Sequence, residues 1–252
     1  YIPPVDLTFG EYLRGLITAD SDLVGDDKYN YRVAFVESFR RRGIYPRDLE
    51  TISVDTLRWE GADLASLAIK YPDLKKGLRQ VIKQLKRYAD ACFYISDREE
   101  LFAATRLQRK LLHDILDNVF ESLPEEAASK FGEILGLDPS ASGFEVHELR
   151  RSIRVAPDGK HLPQIIIALT QSTDFKLDSS NHTFRGGATL VVDLTKSSVK
   201  YAIRKRINSE TRKKRTEEFL NNALADPLKS LLLGTVEREP FAALHSLVDL
   251  AD

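Results

Sequence analysis

Apolar residues recur at helical spacing through the first half of the chain. Thr8 and Glu11 have the spacing of a capping box, in which each side chain accepts a hydrogen bond from the other residue's backbone N–H. Leu13 and Ile17 follow on what would be one helix face. The stretch 20–27 is acidic, and we expect it to form a loop after this helix.

A second helix is predicted from Tyr31 to the arginines 40–42. Cations in a last turn and a glycine directly after it, here Gly43, are typical of helix ends. A short helical turn is predicted around 53–59. Three longer helices should follow, starting at Pro72, after a cap at Asp97, and at Pro124. The last of these should end near Gly136.

The hydrophobic period changes after 138–143, which makes this segment the best candidate for a domain boundary. Strands are predicted over 144–155, 164–170, 188–194 and 199–207. A turn at 157–160 and a polar loop at 172–183 should connect the first three strands. After the strands, a helix is predicted over 212–224, and apolar clusters follow at 228–233 and 241–250. Short links between strands favour an antiparallel meander. The sequence therefore predicts an α+β chain: a helical region at 1–137, a linker at 138–143, and a four-stranded antiparallel meander with C-terminal helices at 144–252.

Composition narrows the class of protein further. With 42% apolar and 30% charged residues among 252, the chain can bury a core. A formal net charge of −1 gives no overall field toward nucleic acid or an anionic membrane, and no apolar run approaches the ~18 residues of a membrane span. The single cysteine excludes an internal disulfide and fits a reducing compartment, so we expect a cytoplasmic protein without a membrane partner.

The sequence has no methionine and begins with Tyr1. A chain of this length ordinarily carries roughly five methionines. Two explanations fit, and both can hold: the chain is a piece of a longer protein, or methionines are missing from the sequence as written. We therefore treat Tyr1 as an internal residue.

Motifs for metal binding or catalysis are weak. None of the five histidines lies in a His-Glu-x-x-His spacing, and where His147-Glu148 starts one, Arg151 stands in place of the second His. An Asp20-x-Asp22 pair before Gly25 resembles the start of a calcium loop, but its fifth and twelfth positions are not carboxylates. We expect no metal ligand in this chain.

Two further candidates for catalysis have simpler interpretations. His113 lies within one helical turn of Asp114 and Asp117, and a surface histidine among charges is favoured over a catalytic base. Cys92, on an apolar-aromatic helix end, is favoured as a buried inert thiol. The pair Gly186-Gly187 lacks the spacing of a phosphate loop and indicates a bulge or the start of a strand. Whether the chain is an enzyme stays open.

The basic segment 196–215 is the most suggestive charged patch. Tyr201 within it could stack on a base, as aromatic residues do in single-strand binders. In strand geometry, Ala202 and the cations at 200, 204 and 206 share one face, opposite Tyr201 and Ile203. The candidate contacts to nucleic acid or another anion are Lys200, Arg204, Arg206, Arg212, Lys213, Lys214 and Arg215.

Several stretches resemble one family. Pro3–Arg14, 17–20, 31–35 and 39–46, together with strand-rich segments around 184–187 and 201–205, are similar to the C-terminal part of large uncharacterised bacterial proteins. The N-terminal part of those proteins is a gluzincin-type, zinc-metallopeptidase-like domain. The resemblance implies that the zinc-binding helix lies upstream of Tyr1, so that zinc belongs to an upstream domain of the same polypeptide and not to this chain.

The resemblance also implies a role. In gluzincins the helical half after the zinc helix forms one wall of the cleft, so residues 1–136 would be that wall or its extension. Asp20, Asp22, Tyr29 and Tyr31 are candidates to face such a cleft, where a tyrosine hydroxyl donates to an oxyanion. The leading hypothesis is a non-catalytic accessory or substrate-positioning region of a metallopeptidase-like protein of unknown substrate. The alternative is an interaction module that binds nucleic acid or an acidic partner through 196–215.

Overall fold

The computed structural model of the chain describes residues 1–141, 143–177 and 180–225. Its elements, in chain order, are α1 (Phe9–Leu23), α2 (Tyr31–Arg41), α3 (Val54–Leu57), α4 (Leu64–Lys70), α5 (Pro72–Ala91), α6 (Arg98–Ser122), α7 (Glu125–Leu135), β1 (Phe144–Val155), β2 (His161–Leu177), β3 (Ser180–Asp193), β4 (Ser198–Lys205) and α8 (Glu210–Ala225). The strands form one antiparallel sheet of order β1-β2-β3-β4. The predicted α+β class, with a helical N-terminal region before a four-stranded meander, is confirmed.

The chain divides into two compact units. The first comprises residues 1–174 and 183–208, and the second comprises 175–182 and 209–252. Within the second unit the structure describes the ends of β2 and β3 and helix α8. The predicted boundary at 138–143 lies inside the first unit, and the domain ranges themselves stay a prediction.

Local capping chemistry sets several helix ends. The backbone N–H of Glu11 donates to Thr8 Oγ1 at 3.3 Å, and the N–H of Thr8 donates to Glu11 Oε2 at 3.0 Å, which completes the predicted capping box. Asp97 caps α6 by accepting from the N–H of Glu100 at 2.8 Å. Gly136 ends α7 at φ +68°, a left-handed conformation that glycine adopts without a Cβ penalty.

Three sequence predictions need correction. Helix α1 runs to Leu23, so the acidic loop starts later than expected. Helix α4 was not predicted, because its seven residues are too short to show a period. The predicted loop at 172–183 is largely strand, since β2 extends to Leu177 and β3 begins at Ser180. Ladder hydrogen bonds join backbone groups, so polar side chains do not prevent pairing there. The apolar clusters at 228–233 and 241–250 lie outside the described residues.

Both faces of the sheet are covered in the first unit. The largest core cluster joins α4–α7 to the sheet and includes Leu112, Phe131 and Ile167, each at most 1% exposed. A second, smaller cluster lies between α1 and α3. On β4, Ala202 packs against the largest cluster, whereas Tyr201 and Ile203 belong to a third cluster with Tyr1 and Trp59. The alternation along β4 therefore directs its side chains into two different cores.

Candidate ligand-binding cleft

A cleft of about 860 Å³ lies along β4. Its lining residues come from α1, α4, α7, β4 and the segments 48–49 and 59–63, all within the first unit. Ligand pockets in proteins typically measure roughly 300–1,000 Å³. The cleft therefore has the size of a binding site for a short polymer segment or a small molecule.

The cleft is lined by charges of both signs. Four cations and four carboxylates contribute: Arg14, Lys70, Lys130 and Arg204, and Asp48, Glu60, Asp63 and Glu133. At the rim Glu126 accepts from the ammonium groups of both lysines, at 3.3 Å from Lys70 and 2.6 Å from Lys130. These contacts lower the pKa of Glu126 to about 2. Such a balance suits a ligand that itself carries mixed or neutral polar groups, and it disfavours a polyanion.

Trp59, the only tryptophan of the sequence, forms part of one wall. Its indole Nε1–H donates to the carbonyl of Tyr1 at 2.9 Å, and its backbone N–H donates to the buried hydroxyl of Thr18 at 2.9 Å. The guanidinium of Arg14 lies 3.8 Å from the ring centroid and also donates to the carbonyl of Leu57 at 3.1 Å. Burial lowers the pKa of Arg14 from its ordinary value. These contacts fix the position of Trp59 in the wall.

An open strand edge lies in this cleft. Strand β4 is at the edge of the sheet, and the carbonyl of Lys200 points away from β3 to accept from the N–H of Ala62 at 3.0 Å. Backbone directions alternate along a strand, so the N–H and C=O groups of Ala202 and Arg204 point the same way. Within the described chain no backbone hydrogen bond reaches them from outside the sheet. Beyond them the N–H of Ile207 donates to the carbonyl of Gly136 at 3.1 Å.

Arg204 projects from this edge into the cleft. Partial burial of the guanidinium is the main reason that the pKa of Arg204 is lowered, and the neighbouring charge of Arg206 acts in the same direction. Arg206 instead lies 3.4 Å from Glu133 in an ion pair. Of the predicted anion contacts, Arg204 is the one that the structure places in the cleft.

Next to the cleft, Asp22 is the centre of a buried polar cluster. Its side chain is 3% exposed, and it accepts from the hydroxyls of Tyr1 at 2.9 Å and Tyr201 at 2.8 Å. Lys200 Nζ lies 2.7 Å from the same carboxylate. The Tyr1 hydroxyl also accepts from Arg154 at 3.1 Å. Asp22, at the end of α1, is thereby joined to β1 and β4 of the sheet.

The two tyrosines in this cluster hold their protons strongly. Burial, followed by the charge of Asp22, raises the pKa of Tyr1 to about 12. Burial and the hydrogen bond to Asp22 raise the pKa of Tyr201. Both hydroxyls are therefore hydrogen-bond donors at neutral pH.

The other residues predicted to face a cleft lie elsewhere. Asp20 pairs with the buried Arg32 at 2.6 Å, and the nearby Asp27 accepts from the first N–H groups of α2. Tyr29 and Tyr31 are 71% and 65% exposed, with ring centroids 5.9 Å apart. None of the four candidates lines the 860 Å³ cleft. That these residues face the cleft of an upstream domain stays a prediction.

A β-bulge redirects part of the basic segment. The register between β3 and β4 shifts between Val191 and Val192, which leaves Lys200 as the extra residue on β4. Lys200 therefore reaches Asp22 on the same face as Tyr201, contrary to the strict alternation that the sequence predicted. Four predicted anion contacts lie on α8: Arg212, Lys213, Lys214 and Arg215. Their binding of nucleic acid or an acidic partner stays a prediction.

His113 lines a second groove, of about 450 Å³, beside the start of β1 at the opposite edge of the sheet. The contact of His113 Nε2 with the carbonyl of Phe144, at 3.1 Å, requires that this nitrogen carries the proton. The ring stacks on Phe144 with centroids 4.8 Å apart. Arg109 Nε donates to the carbonyl of Val146 at 2.6 Å. His113 thus anchors the start of β1, and its Nδ1 lies 3.6 Å from Asp114.

The remaining candidates from the sequence are Cys92, a metal site and the pair Gly186-Gly187. Cys92 is 1% exposed in the largest core cluster, and burial raises the pKa of its thiol. Within the described ranges, no three His, Cys, Asp or Glu side chains are grouped to hold a metal ion. Gly186 and Gly187 lie inside β3, where a Cβ on Gly187 would meet the backbone of Leu169 in β2.

Sequence reasoning missed most of the cleft. Arg14, Trp59, Lys130 and Glu133 come from separate elements and share no motif. The one available signal is the basic segment, which contains Arg204. The open edge is also defined by the hydrogen bond from the Ala62 N–H to the carbonyl of Lys200 in β4, and the sequence does not indicate that contact.

Comparisons with known proteins leave the family open. No protein-family model, no curated protein and no solved structure matches the chain. No helix of the described residues has the length and apolar character needed to cross a membrane. The fold is therefore known from the structure, and the metallopeptidase-like resemblance stays a prediction.

Proposed function

We propose that this chain is a non-catalytic accessory region of a larger bacterial, zinc-metallopeptidase-like protein, and that it binds an extended polypeptide and positions it as substrate. The observation that carries the proposal is the unpaired edge of β4 at Ala202 and Arg204, inside a cleft of about 860 Å³. Zinc would belong to the upstream domain that the resemblance implies.

An extended peptide is the ligand that matches an open strand edge. Strand addition satisfies the outward N–H and C=O groups of the edge strand, while side chains of the added peptide enter flanking pockets. Here Ala62 and Gly136 close the edge on either side of 202–204. About three peptide residues, roughly 10 Å of extended chain, can pair between them.

The charges of the cleft favour a polypeptide over other linear polymers. Four cations and four carboxylates line it, so acidic and basic side chains of a peptide both find a partner of opposite sign. The Trp59 ring offers an apolar surface beside them. A nucleic acid or an acidic polysaccharide would instead meet four carboxylates of its own sign.

Binding should be weak and should depend on backbone donors. Four backbone groups of Ala202 and Arg204 are open, and a hydrogen bond contributes about 0.5–1.5 kcal/mol net. Each lost bond should weaken binding by up to about tenfold, because roughly 1.4 kcal/mol corresponds to one decade in Kd. Weak, sequence-tolerant binding suits a region that presents a chain to another domain.

The fluorescence of Trp59 provides a direct test, since it is the only tryptophan and lies in the cleft. Blocked hexapeptides that alternate threonine with glutamate, and others that alternate threonine with lysine, are titrated into the full chain. We expect a saturable change in fluorescence. The matched ligands carry the same side chains but an N-methyl group on every backbone nitrogen, so neither edge of the peptide can donate to a strand, and these should bind at least tenfold more weakly.

Two results would overturn the peptide proposal: equal binding of the N-methylated peptides, or no change in fluorescence at millimolar peptide. The variant Ala202→Pro gives a second measurement, because it removes one outward N–H and leaves the β3 ladder intact. It should weaken binding while circular dichroism stays unchanged. Arg204→Gln should alter the preference between the glutamate and lysine peptides and leave the effect of N-methylation in place.

The accessory role is tested separately. Purified chain is added to a peptidase assay with and without zinc. We expect no zinc-dependent turnover by residues 1–252 alone. Turnover would refute a non-catalytic role even if the peptide titration succeeds, so the two parts of the proposal can fail independently.

A further inference from the structure

The exposed face of α5 carries the densest unpaired charge in the described helices. Six cations lie on it: Lys75, Lys76, Arg79, Lys83, Lys86 and Arg87. At 100° per residue they fall within an arc of about 120°. The only acidic residues of the helix are Asp73 and Asp90, near its two ends. This segment lies outside 196–215 and does not line the cleft.

Acidic neighbours on the same helix partner some of the cations in α2 and α8. In α2 the cations Arg40 and Arg41 both contact Glu37, and in α8 Lys213 contacts Glu210. The ion pairs and hydrogen bonds of the described residues include none of the six α5 cations. Like charges three or four residues apart on a helix repel each other. An external polyanion would relieve that repulsion.

The apolar face of α5 is already buried, which decides between kinds of polyanion. Leu74, Val81 and Leu85 lie in the largest core cluster at no more than 5% exposure. A basic amphipathic helix binds a membrane surface by inserting its apolar face, and that face is occupied here. Contact through α5 must therefore be electrostatic.

We infer that the exposed face of α5 binds the phosphate backbone of double-stranded nucleic acid without reading its sequence. From Lys76 to Arg87 the helix rises about 17 Å, which matches several phosphates along one strand of a duplex. The stripe contains no aromatic residue on which an unpaired base could stack. Lysine and arginine contacts to phosphate fix position and carry no base recognition.

A salt titration with a fluorescein-labelled 20-base-pair DNA duplex tests the inference on the full chain by fluorescence anisotropy. For about four phosphate contacts, log K should fall with log salt at a slope of roughly −3.6. The affinity should then drop about 100-fold between 50 and 200 mM salt. Two duplexes of unrelated sequence should bind equally.

Two variants of equal net charge locate the surface. In the first, Lys76, Arg79, Lys83 and Arg87 are each changed to Gln, and we expect a loss of affinity of at least 30-fold at 50 mM salt. The matched control changes Arg212, Lys213, Lys214 and Arg215 to Gln and should retain binding within about threefold. Circular dichroism and Trp59 fluorescence confirm folding of both.

Two outcomes overturn the inference: no binding of the duplex at 50 mM salt, or equal losses of affinity in the two variants. Loss only in the α8 variant assigns binding to the segment 196–215 instead. Tighter binding to polyglutamate than to DNA would identify the ligand of α5 as an acidic protein. Tighter binding to vesicles that contain phosphatidylserine would identify it as an anionic membrane. None of these results bears on peptide binding in the cleft.

Discussion

The buried carboxylate of Asp22 should contribute strongly to stability. It accepts two tyrosine hydroxyls at 2.8 and 2.9 Å and lies 2.7 Å from the ammonium of Lys200, with a side chain only 3% exposed. The variant Asp22→Ala leaves the Tyr201 hydroxyl and the Lys200 ammonium without this acceptor, while the Tyr1 hydroxyl keeps Gln164 Oε1, at 3.0 Å. Removing one partner of a buried ion pair typically costs about 3–5 kcal/mol. We expect a loss of about 4 kcal/mol in the free energy of unfolding.

Urea unfolding followed by Trp59 fluorescence and by circular dichroism measures this loss. At a denaturant slope of about 3 kcal/mol/M, the midpoint should fall by more than 1 M. The matched control is Glu37→Gln, which removes an exposed carboxylate that contacts Arg40 and Arg41 on α2, and it should leave the midpoint unchanged within error. Tyr201→Phe removes one hydrogen bond and should cost about 1.5 kcal/mol.

The result that would refute the reasoning is a loss below 1 kcal/mol for Asp22→Ala. Such a value would mean that water replaces the carboxylate as acceptor and that the cluster is not closed. A double-mutant cycle of Asp22→Ala with Tyr201→Phe checks the pairing itself. The two losses should be less than additive, because both variants break the same hydrogen bond.

Three further predictions follow from other contacts. Because the pKa of Tyr1 is raised to about 12, the unfolded chain loses this proton first. Stability should therefore be constant below about pH 9 and then fall, by about 1.4 kcal/mol at pH 11 from this group alone. Gly187→Ala should cost about 3 kcal/mol in urea unfolding, because φ is +145° and the new Cβ would meet the backbone of Leu169. Cys92 should react with a thiol reagent only in urea, because it is buried and its pKa is raised.

Each of these has its own check. The fall in stability at high pH should be smaller in Tyr1→Phe, and an identical fall would assign it to other groups. Gly25→Ala serves as the control for Gly187→Ala, since nothing lies within 4 Å of the added Cβ and its φ is not positive. Rapid modification of native Cys92 would show that the core opens locally near the end of α5.

Signals that act over a few residues made the fold largely predictable. The Thr8–Glu11 box, the Asp97 cap and the glycine stops work through neighbouring backbone groups, so the sequence alone reveals them. The extensions of β2 beyond 170 and of β3 before 188 were missed because most residues in them are polar. Helix α4 was missed because seven residues give too little periodicity.

The candidate site was much less predictable, because long-range contacts create it. The cluster at Asp22 joins residues as far apart as 179 positions in the chain. The extra residue Lys200 reverses the expected direction of one side chain, and nothing in the sequence 198–205 indicates a bulge. Only the positive charge of Arg204 could be anticipated, and its location in the cleft required the positions of α1, α4 and α7.

The side chains of Arg109 and His113 also affect how copies of this protein meet. Strand β1 is the other edge of the sheet, and exposed edges are templates for association between molecules. Arg109 and His113 occupy the outward carbonyls of Val146 and Phe144, so a second chain cannot use them to continue the ladder. The start of β1 is thereby blocked against pairing with another copy, while at β4 the short gap between Ala62 and Gly136 is too narrow to admit a whole strand of another copy.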